Sequence, residues 1–238
     1  MSTLLLVRHG QATPFEAHTD RLTELGVRQA TALAQLWSRA GVDADEVRTG
    51  TLERQQRTAA VVAEHMATDR RPWPPPMVDA GFDEYDGDGI FGTLARRLAE
   101  DDARVHELVR RAERARGTAE QNRRFQHMVE YVADHWRRGA VTDPLVETWP
   151  EFCGRVDAAL DRVLDDGRGR RVVVFTSGGV IGRVLQRVLK APDETALALN
   201  WRVKNASLSR LTFGGGRISV DSFNETAHLQ AAGLDSYR

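Results

Sequence analysis

The chain has one cysteine, Cys153, in 238 residues, so no internal disulfide can form and Cys153 reads as a small core residue. Its formal net charge is −1, too balanced for a general nucleic-acid binder. There is no run of about eighteen or more apolar residues that would cross a membrane as a helix. The first residues lack a basic stretch followed by a cleavable apolar segment, so the expectation is a cytoplasmic protein. No His or Cys cluster has metal-ligand spacing, and no internal repeat is visible. With 41% hydrophobic and 28% charged residues, the chain can fill one substantial core carrying an inserted subdomain.

What is present begins at the N-terminus. Thr3-Leu4-Leu5-Leu6-Val7 is an apolar run without alternation, the pattern of a strand covered on both faces in a parallel or mixed sheet. It runs straight into Arg8-His9-Gly10-Gln11, at the kind of strand end where α/β proteins keep their chemistry. Gly10 lets the backbone turn and approach a ligand closely. The alternative is an ordinary strand end with an exposed Arg-His pair.

Strands and helices then alternate. After a polar loop through Asp20, Thr23 is the expected N-cap of a helix with Val27, Ala30, Leu33 and Trp37 at helical spacing, ended by Gly41. A short strand at Glu46-Val47-Arg48-Thr49 leads to a helix over Leu52 to Met66, and the prolines from Pro72 to Pro76 enforce an extended stretch. Gly81 to Gly92 is too rich in Gly and Asp for regular structure. Phe91 to Arg138 reads as helical, with eleven arginines against eight acids, and forms an inserted cap over residues 91–148. Its charges are solvated helix faces, unless a subset turns inward to hold an anion. Helix then runs from Trp149 to Leu164, and Arg171 to Thr176 is a second continuous apolar strand. Ser177-Gly178-Gly179 opens a helix through Leu189. That strand, Gly-rich turn and helix would aim backbone N–H groups at an anion; equally, Ser177 simply caps the helix. Antiparallel strands over Ala206 to Phe213 and Arg217 to Phe223 flank Gly214-Gly215-Gly216.

Taken together, these segments resemble the histidine phosphatase superfamily, which includes the cofactor-dependent phosphoglycerate mutases, nearly end to end. Val7-Arg8-His9-Gly10-Gln11 resembles its nucleophile motif, and Leu22-Thr23-Glu24-Leu25-Gly26 with Gln29-Ala30 the usual start of its first helix. Thr51-Leu52-Glu53-Arg54, with Thr58-Ala59, is similar to the segment supplying a second phosphate-binding arginine. Phe82-Asp83-Glu84-Tyr85 falls where the family carries its proton donor, and Asn224-Glu225-Thr226-Ala227-His228-Leu229 matches its C-terminal pattern. The resemblance implies a single α/β domain over residues 1–238, a three-layer α/β/α arrangement with a mixed, mostly parallel sheet and the inserted helical cap.

It also implies a chemistry. Arg8 and Arg54 would grip a phosphomonoester dianion with planar donor forks. His9 would attack phosphorus through a neutral ring nitrogen, a form that nearby arginines favour, to give a phosphohistidine that water then hydrolyses. Glu84 would protonate the leaving group and then help activate water; read alone, it is a solvated carboxylate in an acidic loop that also suggests Mg²⁺ or Ca²⁺. Arg54 alone would be one surface arginine among many. No metal or cofactor is required. Thr13 either touches the phosphate or starts the turn before Pro14, and His228 reads as a packing or hydrogen-bonding residue.

One position departs from the pattern. Where the family typically has Ser-His-Gly-Gly, this chain has Thr176-Ser177-Gly178-Gly179. Ser177 and the backbone of Gly178 remain candidates to bind phosphate, but a serine carries no charge, and losing one preorganised donor costs about 3 kcal/mol, on the order of a hundredfold in rate. The chain resembles a branch of the superfamily that pairs an opening Arg-His-Gly-Gln with Thr-Ser-Gly-Gly. Gln11 also stands where the mutases usually have Glu. A phosphomonoester hydrolase acting on a small phosphorylated substrate, without nucleic-acid or membrane partners, is therefore expected ahead of a phosphoglycerate mutase or a non-catalytic phospholigand-binding protein. The resemblance leaves a monomer or a homodimer open.

Overall fold

The computed structural model describes residues 1–13, 20–67, 72–165 and 169–237. Part of the polar loop before Asp20, including Pro14, lies outside them. The described residues divide into two units, Met1–Glu84 with Arg155–Arg238, and Tyr85–Gly154.

The first unit is built on a six-stranded sheet. In chain order its strands are β1 (Ser2–Arg8), β2 (Glu46–Thr49), β3 (Met77–Val78), β4 (Arg171–Thr176), β5 (Leu208–Gly214) and β6 (Arg217–Glu225). Their order across the sheet is β3-β2-β4-β1-β5-β6. Contacts among β3, β2, β4 and β1 are parallel, while β5 and β6 run antiparallel. The sheet is thus mixed and mostly parallel, as the continuous apolar strands imply.

Strand alternation sorts the side chains onto two faces. Leu5, Val7, Val47, Val173 and Phe175 form one core cluster with Leu33, Ala34 and Trp37 of α1 (Glu24–Ala40) and Ala59, Val62 and Met66 of α2 (Glu53–Met66). Arg48, next to Val47, takes the opposite face. There it pairs with Glu46 and, at 3.6 Å, with Asp79, which holds Arg162 of α6 (Trp149–Leu164) at 2.8 Å. Helices therefore flank both faces, giving three layers.

Local signals account for the helix ends. Thr23 caps α1, its hydroxyl accepting from Gly26 N at 3.0 Å, and Gly41 ends it in a left-handed conformation at φ 64°. Helices α7 (Gly178–Leu189), α8 (Thr195–Asn200) and α9 (Ala227–Gln230) complete the unit.

Between Gly81 and Gly92 the structure corrects the expectation of irregular chain. Ala80–Phe82 is a single 3₁₀ turn, started by the Asp79 carboxylate on Gly81 N at 2.9 Å. Gly89–Leu94 is a wide π-type turn. Local side-chain capping and the burial of Ile90 and Leu94 offset the weak helix propensity of Gly and Asp. The last strand pair begins at Leu208 rather than Ala206, because Ala206 is left-handed at φ 52°.

The second unit contains α3 (Ala95–Asp101), α4 (Ala103–Arg114) and α5 (Gln121–Arg137). Its core is aromatic: Trp136 has ring centroids 5.3 Å from Tyr85 and 5.1 Å from Trp149, and Tyr85 meets Phe152 edge-on at 5.7 Å. Cys153 is buried. Its arginines form ion pairs within the unit, Arg97 with Asp143 and both Arg123 and Arg124 with Glu120. Among the described residues no helix is long and apolar enough to cross a membrane.

Candidate active site

Four parallel strands deliver the candidate residues at their carboxyl ends. Arg8 ends β1 opposite Thr176, the last residue of β4, so His9 and Ser177 each follow a paired strand end. His9 N donates to Thr176 O at 2.9 Å. Arg54 lies in the first turn of α2 after β2, and Glu84 follows the 3₁₀ turn after β3. Clustering at carboxyl ends is the usual placement of a ligand site in an open α/β sheet.

The loop after β1 is held backbone on backbone. A methyl group at Gly10 would stand 2.4 Å from Gly26 O, and one at Gly26 would stand 2.1 Å from Gln11 O. Only glycines allow the loop to rest this closely on the first turn of α1. Gly10 N donates to Thr58 Oγ1 at 3.1 Å, and Gln11 N to the buried Gln29 Oε1 at 2.8 Å. The histidine between strand and loop is fixed from both sides.

The histidine ring is correspondingly oriented. His9 Nδ1 lies 2.7 Å from Gly10 O; a carbonyl only accepts, so Nδ1 carries the proton. That tautomer leaves a lone pair on Nε2, toward which Arg54 Nε donates at 3.2 Å. His9 is only 6% exposed. The arrangement is an imidazole whose Nδ1 proton is committed and whose Nε2 lone pair lies beside a guanidinium.

Arg54 is also held by a residue the motifs did not single out. The Asp20 carboxylate lies 2.6 Å from Arg54 Nη1, and it accepts from Glu53 N at 2.6 Å and Arg54 N at 3.4 Å. Leu52, the N-cap of α2, makes no side-chain cap, so Asp20 supplies one from across the loop. Nothing local in the sequence announces this pairing.

Ser177 resolves differently from its expectation as a cap. It is fully buried and its side chain does not cap α7. Instead its hydroxyl accepts from Gln55 Nε2 at 2.8 Å, an amide that also donates to Phe82 O at 3.0 Å. The carboxylate at the start of α7 is Glu84, whose Oε2 accepts from Gly179 N at 3.0 Å, so Glu84 stands beside Ser177 and Gly178. Gly178 is the first residue of α7.

Arg8 is buried, and its Nη1 donates to Val203 O. Thr13 meets Arg21, with Thr13 N 3.0 Å from Arg21 O. His228 makes a local hydrogen bond, its Nε2 donating to Ala206 O at 2.9 Å, and Ala206 N donates to His9 O at 3.1 Å. Burial pushes the His228 ring below its ordinary pKa. Among the described residues no group of His, Cys, Asp and Glu is arranged to hold a metal ion.

Comparison with known proteins gives the family and the fold. The model of the histidine phosphatase superfamily (branch 1) matches residues 4–134 and 93–226. The chain is 26% identical to the "Probable phosphoglycerate mutase GpmB" of Yersinia pestis (strain Pestoides F), covering 99% of this chain and 98% of that protein. Among solved structures, phosphoglycerate mutase from Bacillus anthracis superposes with a TM-score of 0.65 at 19% identity, covering 98% and 96% of the two chains. The alpha-ribazole phosphatase from Shigella flexneri gives 0.64 at 21% identity, covering 94% and 96%. At those identities the structural likeness speaks for the fold.

Proposed function

The chain belongs to the histidine phosphatase superfamily, and on that premise we propose that it is a phosphomonoester hydrolase working through a phosphohistidine on His9. The observation that carries this reading is the His9 ring, whose Nδ1 proton is committed to Gly10 O while Nε2 faces Arg54. Nε2 attacks phosphorus in line, and the phosphoryl oxygens are held by Arg54, Arg8 and the N–H of Gly178 at the start of α7, with the Ser177 hydroxyl beside them. Glu84 supplies the proton that the departing oxygen takes up. Water then attacks the phosphohistidine, Glu84 accepts its proton, and inorganic phosphate leaves.

The substrate class is a small phosphorylated molecule in a reaction that calls for no metal or nucleic-acid partner. Gln11 favours hydrolysis over a mutase cycle. The name of the Yersinia relative favours the mutase, and conversion of 3-phosphoglycerate to 2-phosphoglycerate with added bisphosphate decides between them.

The test of the main reading is p-nitrophenyl phosphate hydrolysis by the wild type and His9→Ala, with alkali-quenched mass spectrometry of the phosphorylated enzyme, since a phosphohistidine is lost in acid. Turnover that vanishes with His9, and a phosphoryl group mapped to His9, are expected. An undiminished rate in His9→Ala, or a phosphoryl group on another residue, refutes the mechanism.

A further inference from the structure

The segment carrying Glu84 is a single 3₁₀ turn and the chain that follows it, with Gly81 and Phe82 buried and Asp83 and Glu84 half-buried, where carbonyls withdrawn from water need donors. Five consecutive carbonyl oxygens, Ala80 to Glu84, meet side-chain donors. Arg155 Nη1 donates to Asp83 O at 2.7 Å and lies 3.4 Å from Ala80 O and Gly81 O, and its Nη2 donates to Glu84 O at 3.0 Å. Between them, Phe82 O accepts from Gln55 Nε2 at 3.0 Å and from Thr176 Oγ1 at 2.7 Å.

A second observation places the same segment on the same helix. A methyl group at Gly81 would stand 2.5 Å from Ala159 Cβ and 2.9 Å from Arg155 O, so the chain lies directly against α6 where Arg155 originates. On the far side the Asp83 carboxylate accepts from Thr51 N at 2.5 Å and Thr51 Oγ1 at 2.6 Å, tying the segment to the turn before Arg54.

From this we infer that Arg155 is a positioning residue for proton transfer: by gripping the carbonyls of Asp83 and Glu84, on either side of the Glu84 Cα, it fixes where the Glu84 carboxyl stands. The inference rests on the proposed reading of Glu84 as the acid. In that step the His9 Nε2–P bond forms, the bond from phosphorus to the leaving oxygen breaks, and the Glu84 proton passes to that oxygen to release an alcohol. In this role Arg155 acts through the Glu84 backbone rather than on the reacting atoms. Its guanidinium fork spans two carbonyls at once, which an ammonium group on a flexible stem does less rigidly.

A purely structural arginine and a positioning one are separated by the leaving group. A departing oxygen that is stable as an anion needs little protonation, whereas a more basic one depends on the acid. The assay is kcat/KM, which reports the phosphoryl-transfer step, for p-nitrophenyl phosphate and the similarly shaped phenyl phosphate. It is run on the wild type, Arg155→Ala, Arg155→Lys and Glu84→Gln.

Misplacing a reacting group by about 1 Å costs up to roughly a hundredfold, so Arg155→Ala should lose about tenfold more on phenyl phosphate than on p-nitrophenyl phosphate. Arg155→Lys should fall between it and the wild type, and Glu84→Gln should show the largest disparity. Activity on the nitrophenyl ester reports that a variant is folded, and if Arg155→Ala does not fold, Arg155→Lys carries the comparison. Equal losses on both esters in the Arg155 variants, with Glu84→Gln discriminating, overturn the inference while leaving Glu84 as the acid. Equal losses in Glu84→Gln overturn the acid role itself, and the inference with it.

Discussion

Replacing Asp20 with alanine removes one carboxylate that does two jobs. It caps α2 through Glu53 N and Arg54 N, and it pairs with Arg54 Nη1 at 2.6 Å. The Asp20 side chain is 33% exposed and that of Arg54 19%, so the pair is partly screened and contributes about 0.5–1 kcal/mol. The cap contributes about 1 kcal/mol. Together they amount to roughly 1.5–2 kcal/mol, which in a chain of this length lowers Tm by about 3–8 °C. Asp20→Asn keeps an oxygen acceptor for the helix N–H groups and loses only the charge, so its Tm should fall by about 1–3 °C. Scanning calorimetry of the two variants, with Arg54→Ala and the double variant closing a cycle, measures both parts. An Asp20→Ala Tm equal to that of the wild type, or an asparagine variant as unstable as the alanine one, refutes the assignment of Asp20 as cap and partner.

His228 gives the stability a pH dependence. Burial, the largest influence on it, holds the folded ring below its ordinary value of 6.5, so as pH falls the unfolded chain takes up the proton first. The stabilisation is complete above that ordinary value and is lost as pH drops through the window beneath it. Thermal melts from about pH 7.5 to 5 should therefore show a slope that His228→Gln flattens; an identical slope in the variant would remove His228 as the cause. At the nucleophile loop, Gly10→Ala sets a methyl group 2.4 Å from Gly26 O, and the resulting shift should cost about 1–3 kcal/mol. Denaturant unfolding checks it, and an unchanged midpoint would mean that the loop and α1 separate freely.

Features encoded by neighbouring residues were legible in the sequence. Thr23 and Gly41 mark the two ends of α1 as their chemistry requires, and β2, β4 and α6 have the bounds their apolar patterns indicate. The placement of the candidate residues was legible: His9, Arg54, Glu84 and Ser177 follow the strands that lead to them. Their partners were not, because Asp20 meets Arg54 across 34 positions and Gln55 meets Ser177 across 122. Such pairs exist only once the sheet order is known. Ser177 shows the limit well, since a serine before a glycine pair suits a helix cap locally and only the fold brings Gln55 to its hydroxyl. The strand β3 escaped notice for a related reason. It is two residues long, and its pairing comes from Arg48 and Thr49 rather than from any pattern of its own.

That short strand has a consequence for how copies of the chain meet. A sheet edge with many unpaired N–H and C=O groups invites a second chain to extend it. At one edge here, Met77 and Val78 offer only a two-residue template, preceded by Pro74, Pro75 and Pro76, which have no N–H to give. At the other, β6 carries Arg217, Asp221 and Glu225 exposed along its length, and its pairing with β5 slips at Arg210. Both borders thus discourage polymerisation through the backbone, and self-association of this protein would have to be made by side-chain surfaces instead.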